Sequence, residues 1–258
     1  MSTNAAPNRH AAAQDEQAEP ANAKRLKAAV IDLDGTMVDT ADDFTASLNG
    51  MLGDLGAQPV SREEVVGYVG KGSEHLVRSV LAARFSAEET SARFAGALDR
   101  YQAHYAEVNG RHTRLYPDVE SGLAALAQAG VRLACVTNKP HRFAVALLEQ
   151  YGLARYFSVI LGGDSLARKK PDPLPMLAAC HAMGVEPSEA VAIGDSENDA
   201  LAGRAAGMAT LTVPYGYNHG KAIQTINSDG IVATLLEAAG FIVNPPSGSG
   251  ATDQSINC

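Results

Sequence analysis

The amino-acid sequence predicts an α/β fold, a doubly wound parallel-sheet (Rossmann-like) core with an inserted α-helical cap domain. Three observations carry this expectation. Short apolar runs at 28–33, 131–137, 159–162, 190–193 and 209–213 read as buried strands. Helical patterns separate the later four, and strands alternating with helices imply a parallel sheet covered on both faces. The stretch from 40 to about 114 breaks that rhythm, with helical patterns and no convincing strand.

Taken in order, residues 1–23 lack the apolar segment of a secretory signal and carry Asp15, Glu16 and Glu19, so they read as a disordered tail. The core is expected over 24–39 and 115–243, and the cap over 40–114. A Pro-, Gly- and Ser-rich flexible tail is expected over 244–258. In the cap, Phe44, Leu48 and Leu52, then Leu76, Val80 and Leu81, recur at helical spacing. Thr40 is expected to cap the first cap helix, with Asp43 at its third position. Asp118 is expected to cap a helix whose Leu123, Leu126 and Ala127 face inward, with Gly130 just beyond it. Pro140 suits the first turn of the next helix, which Phe143, Leu147, Leu148 and Tyr151 continue to Gly152. Two further helices, over 173–183 and 197–206, end at Gly184 and Gly207. Ligands of an open parallel sheet bind outside the carboxyl ends of its strands. An insertion leaving from the first strand therefore sits over that site as a lid.

Composition narrows the function. The 258 residues are 46% hydrophobic and 19% charged, enough to bury a sizeable core. A net charge of −8 leaves no broad basic patch, so neither nucleic acid nor an anionic membrane is an expected partner. A small anionic ligand needs local positive charge in one cleft. Cys135, Cys180 and Cys258 stand far apart without a CxxC, which fits a reducing, cytoplasmic location and two buried thiols plus one in the tail. No apolar run is long enough to span a bilayer. The histidines at 75, 104, 112, 141, 181 and 219 show no ligand spacing and are expected at the surface. A monomer or a homodimer is expected.

Chemistry gathers at strand ends. The first strand runs into Asp32-Leu33-Asp34-Gly35-Thr36, and alternation puts Asp32 and Asp34 on one side if the chain stays extended. Far downstream, Gly194-Asp195-Ser196-Glu197-Asn198-Asp199 follows another apolar strand. If both ends share one sheet edge, three or four carboxylates converge. Two unit charges 4 Å apart repel by about 1 kcal/mol in water and about 4 at an effective dielectric of 20. Several such pairs require a cation, and all-oxygen ligands with few carboxylates suit Mg2+.

Asp32-Leu33-Asp34-Gly35-Thr36 with Asp39 resembles the first motif of the haloacid dehalogenase superfamily. Val136-Thr137-Asn138-Lys139, Lys170-Pro171-Asp172-Pro173 and Gly194-Asp195-Ser196 with Asn198-Asp199 look like the second, third and fourth. All stand in order across about 24–243. The resemblance implies a phosphomonoester hydrolase in which Asp32 attacks phosphorus and becomes an aspartyl-phosphate. It implies that Asp34 protonates the leaving alkoxide and then activates water. For the first role Asp34 must be protonated, so carboxylate neighbours are expected to raise its pKa. The resemblance further implies Mg2+ held by the Asp32 carboxylate, the Asp34 backbone carbonyl and Asp195, with Asp199 in support. Thr137 and the Asn138 backbone N–H are implied to bind phosphoryl oxygens, with Gly35 and Thr36 as further phosphate-site residues. Lys170 is implied to neutralise charge.

Gly207-Met208-Ala209-Thr210, Val213-Pro214-Tyr215-Gly216-Tyr217, Thr137-Asn138-Lys139-Pro140 and Val69-Gly70-Lys71-Gly72 resemble the phosphoglycolate phosphatase branch. That substrate carries a carboxylate two carbons from its phosphate. A donor from the lid is therefore expected, Lys71 first, then Arg78, Arg111 and Arg114. Other readings expect less. Gly70 and Gly72 serve as helix breakers, Ser196 as a turn residue, Glu197 in the first helical turn, and Lys139 and Lys169 as solvated lysines. The rivals are a phosphatase for another sugar phosphate or pyrophosphate, a β-phosphoglucomutase-like phosphomutase, and a non-catalytic binding protein on the same fold. The complete set of Asp32, Asp34, Thr137, Lys170 and Asp195 argues against the last. Asp34 argues against a dehalogenase.

Overall fold

The structure is a computed structural model that describes residues 26–218 and 221–244. The expected tails, apart from Asn244, lie outside these residues, as do Lys24, His219 and Cys258. The chain begins with β1 (Ala28–Ile31) and β2 (Val38–Asp39), then the helices α1 (Ala41–Asp54), α2 (Arg62–Val66), α3 (Ser73–Ala82) and α4 (Ala87–Val108). It returns through β3 (Arg114–Leu115), α5 (Val119–Gln128), β4 (Arg132–Val136), α6 (His141–Gln150), β5 (Val159–Leu161) and α7 (Leu174–Met183). It closes with β6 (Ala190–Gly194), α8 (Glu197–Ala205), β7 (Ala209–Thr212), β8 (Gly230–Ile231) and α9 (Leu235–Val243).

Six strands form one sheet in the order β5-β4-β1-β6-β7-β8, every pair parallel. The period-two alternation of β1 divides the core. Ala29 and Ile31 point into one apolar layer with Leu123, Leu126, Leu147 and Leu235 from α5, α6 and α9. Ala28 and Val30 point into the other, with Met176, Cys180, Met183 and Ala202 from α7 and α8. Both faces are thus covered, as the near-continuous apolar strands demand. Strand β1 lies between β4 and β6, where the winding reverses, and its carboxyl end is the natural ligand crevice.

The cap helices carry an apolar cluster of their own, with Phe44, Leu48, Leu52, Val77, Leu81, Tyr101 and Tyr105. Core residues Phe143 and Tyr217 join that cluster, so cap and core pack against each other. A two-stranded antiparallel ribbon, β2 with β3, ties the outgoing linker to the returning one. Asp43 adds a second tie. Its buried carboxylate accepts hydrogen bonds from the Gly110 N–H (2.7 Å), the His112 N–H (2.8 Å) and the Thr113 hydroxyl (2.6 Å).

Some local expectations change. Asp43 is therefore not part of a capping box. Thr40 stands at the start of α1 but spends its hydroxyl on Asp34 rather than on the helix. Asp118 precedes α5 in a left-handed conformation, φ 61°, and makes no side-chain cap. Ala127 faces solvent rather than the core. Strands β2, β3 and β8 have two residues each, too few for any periodicity to announce them. His75 and His104 are half-buried, and His104 pairs with Asp54 at 2.9 Å. Cys135 and Cys180 are free and buried, as expected.

Candidate active site

Strands β1 and β6 lie side by side in register, Ile31 opposite Ile193, so the residues after them share one edge. Carboxylate oxygens of Asp32, Asp195 and Asp199 lie within 4.8 Å of one another there. The Lys170 ammonium, 3% exposed, sits 2.8 Å from Asp32 Oδ1 and 2.6 Å from Asp199 Oδ1, and donates to the Val136 carbonyl at 2.7 Å. Asp199 is positioned by its helix. Ser196 caps α8, its N–H and hydroxyl donating to Asp199 Oδ2 at 3.2 and 2.6 Å. That leaves Oδ1 for the lysine. Ser196 is thus a buried positioning residue rather than a bare turn residue.

Asp195 is fixed by two hydrogen bonds. The Thr36 hydroxyl donates to its Oδ1 at 3.1 Å, and the Tyr217 N–H donates to its Oδ2 at 2.5 Å. A Cβ at Gly35 or Gly216 would collide with this carboxylate, so glycine alone permits the approach. Gly35 and Thr36 therefore stand against Asp195 rather than along the cavity wall. The Tyr217 hydroxyl also accepts from the Thr40 and Ala41 N–H groups at 2.7 and 3.0 Å and donates to Asp39 at 2.5 Å. One tyrosine thus joins the acid cluster to the cap's first hinge.

The electrostatics favour a bound cation. Burial pushes the Asp32 carboxyl up from 3.8 to about 7 against the pull of Lys170, with the charge on Asp199 adding to the rise. Burial also raises Asp195 well above its ordinary range, helped by Asp199 and Asp32. Asp32 Oδ1 is buried without a hydrogen-bonding partner of good geometry, although Lys170 is close. Three carboxylates share one ammonium, and a hard divalent cation fits this all-oxygen donor set.

Asp34 lies apart from that cluster, contrary to the expectation that carboxylates would surround it. Its Oδ1 receives the Thr40 hydroxyl at 2.8 Å and the Lys139 ammonium at 2.8 Å. Lys139 is not solvated; it is 4% exposed, donates to the Tyr105 hydroxyl at 2.5 Å and stands over the Phe44 and Tyr105 rings. Asp32, Asp34, Thr137, Asn138 and Lys139 line one cavity between core and cap, closed by Phe44, Gly70, Gly72, Ser73, Tyr101 and Tyr105 from the cap side.

Lys71 is exposed and does not line this cavity, although its neighbours Gly70 and Gly72 do. Those glycines do more than break a helix. Both have positive φ, 104° and 86°, and the Gly70 carbonyl accepts the Asn138 and Asn198 side-chain amides at 2.9 and 3.2 Å. Arg78 stacks on Phe94, and Arg111 and Arg114 are exposed; none of the three borders the cavity. Sequence reasoning missed Lys139, Tyr105, Tyr217 and Asp43. The adjacency of Lys139 to Thr137 after a strand was the available signal, but the turn alone decides where its side chain points.

Comparison with known proteins shows the family. Residues 29–213 match the family model described as haloacid dehalogenase-like hydrolase. The chain is 45% identical over 214 residues to a phosphoglycolate phosphatase of Thiobacillus denitrificans, covering 83% of this chain and 94% of that one. It is 43% identical over 218 residues to a plasmid-borne phosphoglycolate phosphatase of Cupriavidus necator, covering 84% and 93%. The crystal structure of a predicted phosphoglycolate phosphatase from Haemophilus somnus superposes with a TM-score of 0.77 at 32% identity, over 84% of this chain and 98% of that one. Fold, sheet-edge acids and similarity together place the chain among the haloacid dehalogenase-like hydrolases.

Proposed function

We propose that the protein hydrolyses small phosphate monoesters through an aspartyl-phosphate on Asp32, with 2-phosphoglycolate as its substrate and Mg2+ as its cofactor. The observation that carries this reading is the convergence of Asp32, Asp195, Asp199 and Lys170 at the carboxyl end of β1, with Asp34 facing the same cavity. The relatives' names supply the substrate.

An Asp32 carboxylate oxygen attacks phosphorus as the ester P–O bond breaks, and Asp34 gives its proton to the departing glycolate oxygen. Water then attacks the phosphorus of the acyl phosphate and returns a proton to Asp34. Phosphate leaves and Asp32 is regenerated. Asp32, the Asp34 backbone carbonyl and Asp195 are the proposed holders of Mg2+, which when bound offsets the charge of the acids and of the transferring group. Thr137 and the Asn138 N–H are proposed to orient phosphoryl oxygens, and Lys170 to balance Asp32 during transfer. The cavity is narrow, about 30 Å³, so a substrate enters with a movement of the cap and leaves with another.

The test is phosphate release from 2-phosphoglycolate and from a panel of small esters and pyrophosphate, with Mg2+ and with EDTA. Metal-dependent release that favours 2-phosphoglycolate supports the reading. Metal-dependent release with another favourite keeps the chemistry and removes the substrate. No release from any ester turns the reading toward a phosphomutase or a binding protein.

A further inference from the structure

Lys139 is the only cation among the described residues that line the cavity. Its side chain is 1% exposed, and a desolvated ammonium is costly unless fully partnered. An ammonium carries three N–H donors. Asp34 takes one and the Tyr105 hydroxyl a second, which leaves the third. Tyr105 accepts from Lys139, so its own O–H remains to donate. The Phe44 ring, with its centroid 4.6 Å from the ammonium, and the Tyr105 ring, at 4.8 Å, hold the group in place.

The reach of the substrate matches. A leaving oxygen protonated by Asp34 lies within about 3 Å of it. In a phosphorylated 2-hydroxy acid the carboxylate carbon is two bonds, roughly 2.5 Å, beyond that oxygen. A group that reads the carboxylate must then stand beside Asp34, and Lys139 Nζ is 2.8 Å from Asp34 Oδ1. Lys71, exposed on the outer side of its loop, has no such position.

We propose that Lys139, assisted by the Tyr105 hydroxyl, binds the carboxylate of the substrate and sets the preference for a carboxylated phosphate ester. The proposal rests on the substrate reading above. It places carboxylate recognition on the core, one residue past the phosphate-site Asn138, with the cap contributing Tyr105. Leaving group and acid are thereby registered against the same short segment.

The experiment compares 2-phosphoglycolate with ethyl phosphate, which has the same reach but no carboxylate, in wild type, Lys139→Met, Tyr105→Phe and Lys71→Met. Lys139→Met is expected to lower kcat/KM for 2-phosphoglycolate about 100-fold more than for ethyl phosphate, whose turnover falls only through the lost Asp34 ion pair. Tyr105→Phe is expected to raise KM for 2-phosphoglycolate about fivefold and to spare ethyl phosphate. Lys71→Met is expected to change neither. The thermal unfolding midpoint of each variant reports that it is folded. Equal losses on both esters in Lys139→Met overturn the proposal in favour of a role on Asp34 or on the fold. Loss of the preference in Lys71→Met overturns it outright. Failure of the substrate reading shows earlier and separately, as a wild type that does not prefer 2-phosphoglycolate to ethyl phosphate.

Discussion

Two buried lysines pair with neighbouring acids, Lys170 with Asp32 and Lys139 with Asp34, but only Lys139 lines the cavity, and their surroundings differ in kind. At the sheet edge, Lys170 donates hydrogen bonds to Asp199 and the Val136 carbonyl and forms an ion pair with Asp32 Oδ1 at 2.8 Å. At the cap wall, Lys139 meets Asp34 and Tyr105 and keeps one donor. The first ammonium lies between two carboxylates and acts as a fixture of the acid cluster. The second has one carboxylate and one phenol hydroxyl as partners and lies on the cavity wall, beside the proposed acid Asp34. A buried charge held between two opposite charges stabilises its surroundings, whereas one on a cavity wall with a single counter-charge is available to a ligand.

The sharpest way to break this comparison begins at Asp32, the proposed nucleophile. Asp32→Asn is expected to lower turnover by about 10⁴-fold or more, measured as phosphate release at saturating substrate; a milder loss removes Asp32 from covalent catalysis. Lys170→Met comes next, with a loss of about 10² to 10³ in turnover. Because it leaves Asp32 and Asp199 buried without their cation, it is also expected to cost about 3–5 kcal/mol in denaturant unfolding without metal. A variant as stable as wild type would show that Lys170 is no fixture.

Asp43→Ala tests the cap's tie. The variant leaves three donors of the returning linker unpaired, and a loss of about 2–4 kcal/mol is expected in the same unfolding measurement. A stable Asp43→Ala protein would move the tie to the β2–β3 ribbon alone. Metal and pH sharpen the sheet-edge half. The Asp32 carboxyl rises from 3.8 to about 7 on folding, mainly through burial. Its contribution to stability is therefore full below about pH 4 and lost as pH rises through about 7, where ionisation in the buried site costs most. A divalent cation binds the ionised form, so Mg2+ is expected to raise Tm more at pH 8 than at pH 5. Equal shifts at both values would put the cation elsewhere. The smallest effect belongs to Tyr217→Phe, which keeps the N–H on Asp195 but loses the hydroxyl at Thr40, Ala41 and Asp39. A rise in KM of about fivefold with little change in kcat is expected from a loosened cap hinge.

The parts of the site that were legible in the sequence are those fixed by strand ends. Asp32 and Asp195 follow strands whose apolar runs are plain, and a parallel sheet brings such ends together without any detail of side chains. Asp199 was legible only through its place in the fourth motif, four residues after Asp195, while the capping role of Ser196 that positions it was not. Lys139 was not. It follows Thr137 and Asn138 in a turn, and a lysine there looks the same in sequence whether it reaches solvent or a buried carboxylate. Lys71 misled for the opposite reason, since its flanking glycines do approach the cavity while its own side chain faces outward.

The sequence by itself determined the alternating strands and helices, the place of the cap insertion and the order of the acid-bearing motifs. These follow from periodicity and chain direction, which are local. Only the tertiary structure decided which polar groups meet across the cleft. Tyr217 reaching the cap hinge, Asp43 gathering the returning linker and Lys139 closing on Asp34 all join residues distant in the chain, and their contacts depend on the angle at which two separately packed apolar clusters lean together. No local pattern encodes that angle; the packing of cap against core sets it.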